Sequence, residues 1–189
     1  MTVNFMIRKC SVSNVIVLAA YGEELFKRER PRRLEKAMEE NAELHERLGF
    51  DNHSYVALKF KNWIIEGIPD QVFDDHVEEC KMVSKHSNFR KLKFTAWLQA
   101  GIYALALKLP KFTTVFYRKS YNDDGEPVAG EEIARYDYDT FVEEPKIKEI
   151  LGKVIKILEE MRELNFTVRQ LISLGWCERG LRDEREVGG

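Results

Sequence analysis

The stretch that decides the fold is "GIPDQVFDDHVEECKMVSKH", residues 67–86. Its later part, residues 76–83, reads as a strand, and Asp74–Asp75 supply a turn just before it. Yet Asp70, Glu79 and Lys81 stand where a strand would place apolar side chains. On a strand, side chains at i and i+2 share a face, so Glu79 and Lys81 are neighbours while Glu78 and Cys80 point the other way. If the preceding run folds back about the 74–75 turn, Asp70 lands beside Glu79 or one step off. The plain reading is a solvated hairpin. The sharper one is a metal-dependent phosphodiesterase site, in which carboxylates supply the oxygens a hard divalent cation takes. A lysine beside such a cation orients water and stabilises charge on a phosphate.

Working outward, "YVALKF" (55–60) alternates, Lys61–Asn62 can turn, and "WIIEGIPDQVF" (63–73) forms a second extended run that Gly67 and Pro69 keep from being helical. With 76–83 this predicts a three-stranded meander. Upstream, residues 12–28 read as a helix capped by Ser11 or Ser13. A second helix opens at Pro31 and ends at Gly49, with Leu34, Met38, Ala42, Leu44 and Leu48 along one face. Downstream come a helix over 89–109, a hairpin of 112–121 with 131–141 around the turn-rich 122–130, and an amphipathic helix opened by Pro145. A short helix near 166–174 precedes a charged, frayed tail at 178–189. The expectation is one α/β domain over 1–189, a central mixed sheet flanked by helices.

Bulk composition narrows the function classes. The 189 residues carry 30 Lys and Arg against 32 Asp and Glu, a net charge of −2, so nucleic-acid contact must rely on local basic patches. Two candidates are Arg30, Arg32 and Arg33 in "RERPRR", and Arg118 with Lys119 on the hairpin. No run of 18 apolar residues marks a membrane span, and the chain is expected to be cytoplasmic. Cys10, Cys80 and Cys177 are scattered and read as plain thiols. His53, His76 and His86 have no motif support and read as exposed.

Asp70 in "GIPD" followed by the E-x-K of Glu79 and Lys81 resembles the core motif of the PD-(D/E)XK nucleases. "WLQAGIYALAL" resembles the Q-x-x-x-Y motif of RecB-type nucleases through Gln99 and Tyr103, and "NAELHERLG" places His45 where RecB-like and CRISPR-associated exonucleases carry a metal-binding His. The resemblance spans roughly residues 10–160. It implies a restriction-endonuclease-like core and a Mg2+- or Mn2+-dependent deoxyribonuclease acting as an exonuclease on single-stranded ends. His45, Asp70, Glu79 and the backbone carbonyl of Cys80 would hold the metal, Lys81 would assist the water, and Gln99 and Tyr103 would support lysine or substrate. DNA, CRISPR adaptation proteins and further copies of the chain are the implied partners, with CRISPR adaptation or a mobile element as the implied setting. The chain departs from the family at Asn41, where a Gly is usual. With only Cys10, Cys80 and Cys177, it also lacks the four thiolates of an iron–sulfur cluster, which is not expected. The alternative is a catalytically silent nuclease fold that binds DNA or assembles on itself, which would place it in a virus. The retained Asp70, Glu79 and Lys81 favour the enzyme.

Overall fold

A computed structural model describes residues 8–21, 40–41, 43–50 and 54–163. Two sheets share one long helix. In the first sheet β1 (Arg8–Ser11) runs parallel to β3 (Trp63–Gly67), which pairs antiparallel with β2 (Val56–Phe60). The second has the order β4 (Gln71–Val72), β5 (His76–Val83), β6 (Lys111–Tyr121), β7 (Pro127–Asp139), with β5 and β6 parallel and the outer pairs antiparallel. The helices are α1 (Val12–Tyr21), α2 (helical over 40–41 and 43–47), α3 (Phe89–Leu107) and α4 (Thr140–Glu163). This is the expected mixed α/β architecture.

The predicted meander is divided. Its second run does not continue as one strand: 63–67 belongs to the first sheet, and only 71–72 turns to pair with β5. The chain leaves one sheet and enters the other through Ile68, Pro69 and Asp70, since Pro69 has no N–H to give a ladder. The turns at Lys61–Asn62 and around Asp74–Asp75 are both present, the latter closed by Phe73 N donating to His76 O at 2.8 Å. The first strand, β1, was not expected. The stretch 8–11 is too short to show a period, and α1 follows it without a break. Ser11, not Ser13, caps α1, accepting from Asn14 N at 3.1 Å. The helical expectation for 22–28 and those for 31–39, 166–174 and 178–189 lie outside the described residues.

Residue 49 ends α2 as expected. Gly49 has φ +82°, its N–H donates to Glu46 O at 3.0 Å, and Phe50 N donates to His45 O at 2.9 Å. These two bonds form a Schellman end that fixes the backbone of His45. Helix α3 is capped by Asn88, whose side chain accepts from Lys91 N at 3.1 Å, and ends at Lys108 in the left-handed region, two residues before Pro110. Helix α4 starts a turn earlier than predicted because Asp139 accepts from Val142 N at 3.1 Å. Pro145 therefore sits inside it, leaving the carbonyl of the exposed Phe141 to water.

The β5–β6 register puts Val77, Glu79, Lys81, Phe112, Thr114 and Phe116 on one face, against α3, and Cys80, Met82 and Tyr117 on the other, against α2. Helix α3 crosses that face obliquely: Phe89 stacks edge-on to Phe116 (5.0 Å) and Lys93 caps the ring of Tyr136, while Tyr103 reaches Gly67 of β3. Ala96–Leu98 and Ala100–Ala104 are all buried, so α3 is covered on every side through its middle, the mark of a central helix.

Candidate active site

Strand β5 is covered on both faces, which is why it does not alternate, and a charge placed in it is removed from water. Glu79 is fully buried; Lys81 and Asp70 keep about a fifth of their side-chain surface. Antiparallel pairing of Gln71 with Glu78 carries Asp70 to the level of Glu79 and Cys80, as the hairpin turn requires. There Cys80 N donates to Asp70 Oδ2 at 2.8 Å, and His45 Nδ1 stands 3.5 Å from Asp70 Oδ1. Lys81 Nζ donates to Glu79 Oε1 at 2.6 Å and to Gln99 Oε1 at 3.2 Å. The hydroxyl of Tyr103 lies within reach of the Gln99 side chain and of the backbone at Ile68. His45, Asp70, Glu79, Lys81, Gln99 and Tyr103 thus meet in one place, drawn from α2, the crossing between the sheets, β5 and α3.

Burial pushes the Glu79 carboxyl well above the usual carboxylate range, and the charge of Asp70 adds to this while Lys81 opposes it. For Asp70 burial raises the pKa, but the hydrogen bond from His45 and the charge of Lys81 outweigh it, so Asp70 is held low. Burial would also strip the proton from Lys81, and Glu79 and Asp70 reverse this. Asp70 and Lys81 therefore form the charged pair, and the second carboxyl, Glu79, is the group whose proton is contested. Its Oε2 is buried with no hydrogen-bond partner of normal geometry, and Asp70 stands close enough to share a proton with this carboxyl.

Among the described residues no group of three or more His, Cys, Asp or Glu side chains is arranged to hold a metal ion. The donor chemistry nevertheless fits a hard cation: two carboxylates face each other, and one oxygen lacks a partner that a cation would supply.

Other predicted residues stand elsewhere. Lys119 is buried, its ammonium on Glu40 Oε2 at 2.8 Å and Asn41 Oδ1 at 2.9 Å, so it fastens α2 to the hairpin and offers nothing to a phosphate. Asn41, where the motif resemblance expects a Gly, serves as its acceptor. Arg118 is exposed and meets Glu131 at 3.2 Å. Arg30, Arg32, Arg33, Cys177 and His53 lie outside the described residues. Cys10 and Cys80 sit in two different core clusters, with burial pushing the Cys10 thiol up to about 12 and the Cys80 thiol up as well. His86 is exposed as expected, but His76 is not free: it stacks on Phe73 at 4.4 Å and bonds Asp75 at 2.8 Å. Glu78, on the opposite face, is paired with Arg135. The residue that sequence reading missed is Gly67. A Cβ there would lie 2.7 Å from the Tyr103 hydroxyl, so any larger residue forces that ring to shift. A glycine inside a strand pattern, just before the Pro69 break, was its signal.

No protein-family model and no curated protein matches the chain. Among solved structures, it is similar to SSO0001 (14% identity, TM-score 0.46, covering 79% of this chain and 76% of that one). It is also similar to LHK-Exo, an alkaline exonuclease from Laribacter hongkongensis (11% identity, TM-score 0.42, covering 85% and 94%). The same exonuclease in complex with dAMP gives 11% identity and a TM-score of 0.44. Likeness at this distance carries no argument about chemistry; the side chains must carry it.

Proposed function

We propose that this chain is a Mg2+- or Mn2+-dependent deoxyribonuclease. The observation that carries the reading is Glu79, a fully buried carboxyl beside Asp70 with one oxygen on Lys81 and the other unpartnered. A purely structural core would fill that position with an apolar residue, because a buried, half-satisfied acid costs stability. Asp70 and Glu79 would hold the cation, with His45 and the Cys80 carbonyl completing the set that the motif resemblance implies. A bound cation supplies positive charge to a phosphate oxygen and lowers the pKa of a water. Lys81 stays protonated, so it serves as a donor to the water or to the developing phosphate charge and not as a base. Gln99 holds the Lys81 ammonium from a second side, and Tyr103 holds Gln99; both are positioning residues. Single-stranded ends as substrate and CRISPR adaptation proteins as partners belong to this proposal through the resemblance alone.

A second reading, a silent nuclease fold that binds DNA or assembles on itself, is favoured by one observation. Lys81 occupies Glu79 Oε1, and no three-ligand group stands ready among the described residues. End-labelled single- and double-stranded DNA incubated with Mn2+, Mg2+ or EDTA separates the two. The enzyme reading expects shortening of the label with a divalent cation and none in EDTA. Intact DNA under every condition would leave the silent fold.

A further inference from the structure

From residue 80 to residue 122 the chain contains no Asp or Glu, although it has 32 elsewhere. The same stretch holds nine Lys and Arg, a net +9 in a chain of net −2, so the remainder carries −11. Several of these cations stand on the strands and the helix that carry the site. Phe116 is in register with Lys81; Arg118 follows it by two residues on the same strand face, and Phe89, which packs on Phe116, is followed by Arg90. Between them the 84–88 turn is braced: Ser84 N donates to Ser87 Oγ at 2.9 Å and Ser87 N to Ser84 O at 3.0 Å. That brace holds Lys85 at an exposed tip. Arg118 is shared with Glu131 and Lys93 with the ring of Tyr136. Lys85 and Arg90, both exposed, stand in no ion pair among the described residues.

Two exposed cations with no carboxylate partner, on a braced turn and the helix start that follows it, present positive potential that an anionic ligand would meet. We infer that Lys85 and Arg90 form a phosphate-docking surface that grips the backbone of a single DNA strand next to the candidate catalytic centre. This rests on the nuclease reading for the identity of the strand. The serine brace fixes the backbone that carries Lys85, so the ordering cost of binding there falls on the side chains.

The test is binding of a labelled oligothymidylate in EDTA, across a series of KCl concentrations, to the parent, to Lys85→Ala/Arg90→Ala and to Lys153→Ala/Lys156→Ala. The last pair removes the same charge from α4, where Glu149 and Glu160 partner the lysines. Each lost phosphate contact flattens the salt slope by about 0.7, so the first variant should lose about 1.4 in slope and bind about 25-fold more weakly at 0.1 M salt. The α4 variant should match the parent. Unchanged affinity and slope in Lys85→Ala/Arg90→Ala, or an equal loss in the α4 variant, would overturn the docking surface. A surface that passes while the parent fails to cleave with any divalent cation overturns the nuclease reading and leaves the docking surface standing.

Discussion

Glu79 has its two oxygens in opposite circumstances, one clasped by Lys81 and one buried without a partner. Its pKa is raised in the folded chain, so it contributes stability that is fully present below the unfolded carboxyl value and lost as pH rises through the folded one. The metal-free protein should therefore lose stability as pH climbs above the ordinary carboxylate range. Glu79→Gln, which keeps an acceptor for Lys81 and cannot ionise, should flatten that slope and abolish cleavage. Denaturation followed from pH 5 to pH 9 in EDTA (about 5 to 9, spanning the ordinary and raised ranges) checks it; a slope that survives in Glu79→Gln puts the titration elsewhere. Lys81→Ala acts in the other direction. It strips the ammonium from the buried Asp70 carboxylate and the hydrogen-bond donor from Glu79, a loss of about 3–5 kcal/mol without metal. Removing a positive charge also relieves repulsion toward a cation, so calorimetric Mn2+ affinity should persist or tighten while turnover falls about a hundredfold or more, roughly 3 kcal/mol. Equal, negligible Mn2+ binding in parent and variant would end the metal reading.

At the level of elements, the approach of α3 to β3 depends on one missing methyl group. Gly67→Ala places a Cβ against the Tyr103 hydroxyl, and overpacking of this kind costs about 1–3 kcal/mol. Because Tyr103 holds Gln99 and Gln99 holds Lys81, turnover should fall with stability. Adding Tyr103→Phe removes the clashing oxygen and should restore part of the stability without restoring full activity; thermal melts of the single and double variants that simply add would refute the contact. Such contacts are not written in the sequence as a period. What was legible were features with local chemistry: the Asp74–Asp75 turn, Gly49 at the end of α2, and the parity that sets Glu79 and Lys81 on one face. The four residues of β1 were not legible, because a short parallel strand is specified by its partner β3 and not by its own pattern. The start of α4 was misplaced because Pro145 looks like a first-turn residue, whereas the Asp139 cap recruits the turn before it. Lys119 looked like a phosphate ligand because its partners, Glu40 and Asn41, are about eighty residues away.

Across the described molecule, the site lies at the junction of the two sheets. Asp70 sits in the crossing from β3 to β4, Glu79 and Lys81 on β5 of the second sheet, and Gln99 on the helix that packs against both. A cation held by Asp70 and Glu79 would therefore tie the crossing to the sheet it enters, and its binding energy should appear in global unfolding. Free ligand at a hundred times its dissociation constant adds about 2.7 kcal/mol to the folded state. For a chain of this size that raises the melting temperature by roughly 5–10 °C. Mn2+ or Mg2+ should produce such a shift in the parent, EDTA should reverse it, and Glu79→Gln should reduce it sharply because an amide oxygen carries no charge to the cation. Ca2+, which takes the same oxygen donors, should stabilise as well. A parent whose melting point ignores every divalent cation at millimolar concentration, with Glu79→Gln behaving identically, would mean that the unpartnered oxygen of Glu79 is tolerated as strain and waits for no ligand.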